Sequence, residues 1–209
     1  MNETKRKILS ASRVLFNEKG FSHVTIRMIA LELHMSSGNL NYHFKKREDI
    51  LEALYFEMVE VFDTRLQQLG TKEIELETVK EDVVSSLKRM IAYRFFWTDL
   101  YNLLRLSQKI KSHFQKVHDE RYKGYDFLFK HLINKGIMQD FQFKNECDFL
   151  IKRMIGFSNT WLYNSFIYDL EINEDYIESQ ADNLLGMLYP YLTDMGKNQY
   201  RELFPKYFG

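Results

Sequence analysis

The sequence predicts an all-α protein, and three observations carry that expectation. Only two prolines and nine glycines occur in 209 residues, so few positions interrupt a helix. Apolar residues recur at spacings of three and four along most of the chain, the period of a helix with one buried face. Thr or Ser stands where several of these runs begin, and Gly where they end, as helix caps and stops do. With 45% hydrophobic and 28% charged residues, the chain has the composition of a folded globular protein. The expected architecture is an N-terminal three-helix module joined by a long helix to a larger helical domain.

Residues 4–19 are the first predicted helix, with Ile8, Ala11, Val14 and Leu15 facing inward, Phe16 beside them and Gly20 as the stop. Residues 21–24 are a short connection. Thr25 caps a second helix over 26–33, whose apolar face is Ile26, Ile29, Ala30 and Leu33. His34 and Met35 make a tight turn, and Ser36 caps a third helix over 37–43. Two helices joined by a short turn, after a stabilising first helix, follow the helix-turn-helix plan. A fourth helix spans 47–69. Glu48 and Asp49 suit the dipole of its first turn, and Ile50, Leu51, Leu54, Met58, Val61, Phe62 and Leu66 keep a helical period. Gly70 and Thr71 end it.

Helices are expected throughout the remainder. One covers 76–96, with Val79, Val83, Leu87, Met90 and Ile91 inward; a short one covers 98–107, capped by Thr98. Long helices follow over 111–134, closed by Gly136, over 145–169, and over 174–195, closed by Gly196. Residues 137–144 read as a loop or a short extended piece, and a tail helix occupies 198–204 before Pro205. The domain boundary falls at the start of the fourth helix, giving 1–47 and 48–209, with no flexible linker.

The formal net charge is zero, but it is unevenly distributed. Residues 1–50 hold nine Lys and Arg against five Asp and Glu, a basic module on an acidic body. One cysteine, Cys147, excludes an intrachain disulfide and fits a reducing cytoplasm. The polar N-terminus does not resemble a signal peptide. The longest uncharged stretch of the apolar part, 154–168, has 15 residues and includes Ser158, Asn159, Asn164 and Ser165, too short and too polar for a bilayer. A soluble cytoplasmic protein without a membrane partner is expected. Catalytic patterns are lacking. His113 and His118 stand about 140° apart on a helix, and no His-x-x-x-His, Cys-x-x-Cys, Gly-rich phosphate loop or Gly-x-Ser-x-Gly occurs. No enzyme, cofactor or metal site is therefore expected.

Residues 36–44 are the most specific stretch. A short helix opening at Ser36 can enter a major groove N-terminus first, and Ser36, Ser37 and Gly38 are small enough for close backbone approach. Asn39 and Asn41 carry amides suited to adenine edges. Tyr42, His43 and Thr25 can bond phosphate oxygens, and Lys45, Lys46 and Arg47 form a basic cluster. Leu40 and Phe44 are apolar anchors. Together with Ala11, Leu15, Phe16, Gly20 and Phe21 upstream, residues 25–51 resemble the DNA-binding signature of the TetR family of regulators, over about a quarter of the chain. The resemblance implies a DNA-binding transcriptional regulator, a repressor released from a palindromic operator by a small-molecule ligand. It places DNA contacts at Thr25, Arg27, Ser36, Ser37, Gly38 and Asn39, and at Asn41, Tyr42, His43, Lys46 and Arg47. Asn41 stands where the family usually has Tyr, and Arg47 where it usually has Lys. The alternative is a ligand-binding or interaction protein of the same fold with weakened DNA binding.

Aromatic residues concentrate after position 90. The resemblance implies that this helical body binds a small effector and forms a homodimer. Leu150, Met154, Phe157 and Trp161 line one face of helix 145–169, and Ile151, Ile155 and Leu162 the next. A helix apolar on two faces needs partners on both, here its own core and a second subunit. The dimer is expected through the last two long helices as a four-helix bundle. Pocket candidates combining polar groups with apolar walls are Tyr93, Arg94, Trp97, Tyr101, Asn159, Trp161 and Tyr163.

Overall fold

The structure is a computed structural model that describes the backbone of residues 2–69 and 75–209, and the side chains of all of these except 61–69. Val61, Phe62, Leu66, Gly70 and Thr71, assigned above to the far end of the fourth helix, lie outside the described residues as far as their side chains or placement are concerned. The described residues form eleven α-helices and no strand. They divide into two compact units, 1–68 with 92–114 and 69–91 with 115–209.

The first unit contains α1 (Glu3–Lys19), α2 (Ile26–Glu32), α3 (Ser37–His43) and most of α4 (Arg47–Leu69). It also contains α6 (Arg94–Thr98) and α7 (Leu100–Leu106). Asn2 caps α1 by accepting from the Thr4 amide, and Gly20, at φ +77°, turns the chain out of the helix while its N–H bonds to the Phe16 carbonyl. The buried face of α1 is Ile8, Leu9, Ser12, Leu15 and Phe16. Val14, expected inside, is 50% exposed, and Ser12 takes its place in the core. The face is therefore rotated toward Phe16, whose ring packs 5.0 Å from Phe21 and 5.3 Å from Phe95.

The expected helix over 76–96 is two helices. Here α5 (Leu76–Ala92) ends, Tyr93 leaves helical geometry at φ −124° and ψ 38°, and α6 follows. The Asn17 side chain accounts for the break. Its Nδ2 donates to the Ala92 carbonyl at 2.9 Å and its Oδ1 accepts from the Phe95 amide at 3.1 Å, satisfying groups that a continuous helix would pair internally. Consecutive Phe95, Phe96 and Trp97 are then all buried, which a single helix face does not allow. Thr98 does not cap the next helix. It ends α6 with its hydroxyl bonded back to the Arg94 carbonyl, and α7 begins at Leu100. The next helix, α8 (Gln108–Asn134), starts three residues earlier than expected, where Ser107 accepts from the Ile110 amide.

The second unit is built on the later part of α8, α9 (Glu146–Ile167), α10 (Glu174–Gly186) and α11 (Asp194–Leu203). Phe129, Leu132, Leu150, Ile151, Met154 and Ile155 meet Leu184, Leu185, Leu188 and Phe204 in one core. Both apolar faces of α9, one of which was expected to meet a second subunit, are consumed within the chain: Leu150, Met154 and Trp161 are at most 1% exposed, and Ile151, Ile155 and Leu162 at most 4%. The expected helix over 174–195 also breaks. It stops at Gly186, a 3-10 turn covers Tyr189–Tyr191, and Thr193 caps α11 by accepting from the Gly196 amide. Gly196 thus opens a helix instead of closing one. A Cβ there would stand 2.1 Å from the Ile137 carbonyl oxygen, so only glycine fits. The extended piece after α8 is one residue pair long, an isolated bridge between Met138 and Leu192.

Candidate DNA interface and effector residues

The interface residues sit on a small, well-capped scaffold. Thr25 accepts from the Met28 amide at 3.2 Å and Ser36 from the Asn39 amide at 3.1 Å, fixing the first turns of α2 and α3. His34, at φ 52°, makes the tight turn between them, and the Met35 amide bonds to the Ala30 carbonyl. Leu40 is fully buried and Phe44 is 8% exposed, so α3 is held by one face. Its other face is open. Gly38, Asn39 and Asn41 are exposed, Tyr42 is 85% exposed, and Ser37 and His43 are half-buried. Tyr42 and His43 rings meet edge to face at 5.2 Å, which orients both. Thr25, Arg27, Ser36 and Lys46 are exposed as well.

Arg47 stands apart from this set. Its Nη1 donates to the carbonyls of Phe21, Ser22 and Val24 at 2.9, 3.2 and 2.7 Å, and its guanidinium lies 4.2 Å from the Phe21 ring centroid. The guanidinium is turned onto the loop that leads into α2. The planar guanidinium can lie on the ring while one of its nitrogens bonds the carbonyls, which a compact ammonium cannot match, a physical reason for Arg at this position. Residues not singled out above also border the interface. An open depression of about 540 Å³ is lined by Asn2, Lys5, Tyr42, His43, Phe44 and Ala53, with the Lys5 ammonium 5.7 Å from the Phe44 ring centroid. The run Lys5-Arg6-Lys7 was the available signal; its fold neighbour Phe44 is distant in sequence.

The seven pocket candidates do not form one cluster within either unit. Tyr93, Arg94, Trp97 and Tyr101 belong to the first, and Asn159, Trp161 and Tyr163 to the second. Tyr93 is buried; its hydroxyl donates to Glu57 at 2.8 Å and accepts from Arg13 at 3.3 Å. Burial, then the Glu57 carboxylate, push the Tyr93 phenol up to about 12. Arg94 donates to the Asn17 carbonyl at 3.0 Å. Trp97 is buried with its indole nitrogen unpartnered among the described residues, whereas Tyr101 is 72% exposed. In the second unit Asn159 accepts from Arg121 at 2.8 Å, Trp161 donates to the Met90 sulfur at 3.4 Å, and Tyr163 is 46% exposed. Among the described residues no group of three His, Cys, Asp or Glu could hold a metal ion, and no helix is long and apolar enough to cross a membrane.

Known proteins agree with this arrangement. Residues 8–54 match the family described as bacterial regulatory proteins, tetR family, and residues 57–200 match the TetR family described as bacterial transcriptional repressor. The HTH-type transcriptional regulator YttP of Bacillus subtilis is 28% identical over 91 residues, 44% of each protein, so the similarity spans less than half of that relative's length. A TetR-family transcriptional regulator from Marinobacter aquaeolei VT8 has 26% identity and a TM-score of 0.88, covering 99% of both chains. A transcriptional regulator from Saccharomonospora viridis, solved in complex with choline, shares the fold at 20% identity and a TM-score of 0.71 over 92% of this chain and all of that one. Capped helices, an open recognition face and profile matches over both parts lead to one assignment: the chain belongs to the TetR family of bacterial transcriptional regulators.

Proposed function

We propose that the protein is a dimeric, cytoplasmic repressor that inserts α3 into successive major grooves of a palindromic operator and leaves it when a small effector binds the body. The observation that carries the reading is the asymmetry of α3: Leu40 and Phe44 anchor one side while Asn39, Asn41 and Tyr42 are presented on the other. Asn39 and Asn41 read base edges; Tyr42, His43, Thr25, Arg27 and Lys46 hold phosphates, and Ser36, Ser37 and Gly38 allow the close approach. Arg47 supports the site from behind and is not among the contacts.

For the dimer, α9 offers a surface. Phe149, Gly156, Thr160, Tyr163 and Ile167 fall on one stripe of that helix and are exposed, with Phe149, Tyr163 and Ile167 each close to half exposed. Packed with α10 against the same pair of a second copy, this stripe would complete a four-helix bundle. An effector supports release only if it binds the two states of the dimer with different affinity. The Saccharomonospora viridis regulator, with its bound choline, is an example of this fold holding a small molecule. The test is a gel-shift assay at moderate salt against selected and random duplexes. Wild type should prefer the selected duplex, and Asn39→Ala and Tyr42→Ala should weaken that preference. Equal binding of wild type to both duplexes would refute the reading.

A further inference from the structure

We infer that the DNA interface continues past α3 onto the N-terminal end of α1, where Lys5 takes a phosphate of the operator backbone. This rests on the DNA-binding reading above and adds an arm that the recognition helix does not supply. The sequence of α1 puts a lysine where its pattern calls for an apolar residue. Ile8, Leu9, Ser12, Leu15 and Phe16 form the buried face of the helix. Lys5 precedes Ile8 by three residues and Leu9 by four, so it falls on that same face. In place of a core partner it meets the end of α3. Lys5 is half-buried, and its ammonium lies 5.7 Å from the ring centroid of Phe44, the C-cap of that helix. Arg6 and Lys7 follow at about 100° and 200° around α1 and so point elsewhere. Lys7 is already paired with Glu3 at 2.9 Å.

The space that Lys5 borders is open and continuous with the recognition face. The depression of about 540 Å³ is lined by Asn2, Lys5, Tyr42, His43, Phe44 and Ala53. Tyr42 and His43 belong to the face proposed to meet DNA, so a backbone strand that reaches them passes beside Lys5. The chemistry of the lining suits an anion. None of its residues is acidic, and among the described residues Lys5 makes no ion pair. The Phe44 ring holds the ammonium in place without neutralising it. Asn2 uses its side-chain oxygen to cap α1 by accepting from the Thr4 amide, which leaves its NH2 group as a donor. The apolar wall is small, because Phe44 is buried and Ala53 is half-buried, so a hydrophobic ligand gains little here. A free anion would have Lys5 as its one charged partner. A DNA strand already held at Tyr42 and His43 needs Lys5 only as a further contact.

The test follows DNA affinity of the full-length protein against salt concentration by fluorescence anisotropy, on the selected duplex and on a scrambled duplex of equal length. A phosphate contact carries no sequence information, so its loss weakens both alike. Lys5→Met keeps an unbranched stem against Phe44 and removes the charge. Its log–log salt slope should be shallower by about 1 per half-site on both duplexes, with the ratio of the two affinities unchanged. Lys7→Met is the control and should keep the wild-type slope. Single phosphates of the selected duplex are then replaced by neutral methylphosphonates. One position in each half-site should cost wild type affinity and leave Lys5→Met unaffected. Asn2→Asp retains an N-cap residue while placing a carboxylate in the depression, and should weaken binding to both duplexes. It takes the place of Lys5→Met if that variant misfolds, and unchanged binding then overturns the inference. A wild-type slope for Lys5→Met, an equal loss in Lys7→Met, or a loss confined to the selected duplex would overturn it as well. The last would mean that Lys5 acts through α3 and not on phosphate. If wild type binds both duplexes equally and Lys5→Met still flattens the slope, the phosphate contact stands and the operator-reading proposal falls.

Discussion

Arg47 and Phe21 are joined twice: the guanidinium donates to the Phe21 carbonyl at 2.9 Å and its plane rests 4.2 Å from the Phe21 ring centroid. The same nitrogen also reaches Ser22 and Val24, so one side chain ties down the 3-10 turn over Phe21–His23 and the residue that follows it. The basic residue at the start of α4 is thereby an element of the scaffold that aims α2 and α3.

This makes Arg47 separable from its cationic neighbour. Arg47→Lys keeps the charge but loses the planar guanidinium that rests on Phe21 while bonding the carbonyls, and should cost about 1–2 kcal/mol in chemical denaturation. It should leave the salt dependence of DNA binding unchanged. Lys46→Ala should do the reverse, with little loss of stability and a log–log salt slope shallower by about 1. A shallower slope for Arg47→Lys would show that the guanidinium leaves the loop for phosphate in the complex.

Asn17 is the second support. With bonds to Ala92 and Phe95 from its side chain, Asn17→Ala leaves the part-buried Phe95 amide without its partner and the exposed Ala92 carbonyl to water. A loss of about 1–3 kcal/mol is expected from equilibrium unfolding. Asn17→Asp should recover the Phe95 bond alone and fall between alanine and wild type.

Gly196 sets a steric prediction. A Cβ 2.1 Å from the Ile137 carbonyl oxygen meets backbone, which yields less readily than a side chain. Gly196→Ala should destabilise the protein by about 1–3 kcal/mol, read as a lower denaturation midpoint. Gly156→Ala, where a Cβ meets nothing within 4 Å, is the matched control and should cost little in the monomer fold.

Tyr93 and Tyr200 predict a decline at high pH. Burial raises both phenols from 10.0 to about 12, helped by Glu57 at the first and Asp182 at the second. A raised pKa means that the folded state favours the neutral phenol. The resulting stabilisation is complete below pH 10 and is lost as pH rises through about 12. Thermal melts between these values should show a falling midpoint, with a shallower fall in Tyr93→Phe and in Tyr200→Phe. An unchanged slope in both variants would contradict the assigned environments.

The N-terminal module was legible because its signals are local. Thr25, Ser36 and Gly20 act within three or four residues of themselves, so caps, turn and helix lengths could be read along the chain. What escaped was set at long range. The break at Tyr93 depends on Asn17, the break before α11 on the meeting of Gly196 with Ile137, and the inward turn of Arg47 on a loop some twenty residues upstream. Periodicity also misjudged a face: Val14 looked internal, yet it is 50% exposed while Ser12 is fully buried. At α9, two apolar faces suggested two partners, but the surrounding helices of the same unit cover both, leaving a third stripe open.

The central claim is that the open face of α3 reads DNA as one half of a two-fold pair. Selection of bound duplexes from a random pool, followed by footprinting of the enriched sequence, tests it most directly. The account predicts a palindrome whose half-site centres lie about 34–36 Å apart, or a multiple of that. Asn39→Ala and Asn41→Ala should each weaken binding to it by about 1–3 kcal/mol while leaving random DNA affinity nearly unchanged. No enriched sequence, or an enriched sequence bound equally well by both variants, would contradict the account.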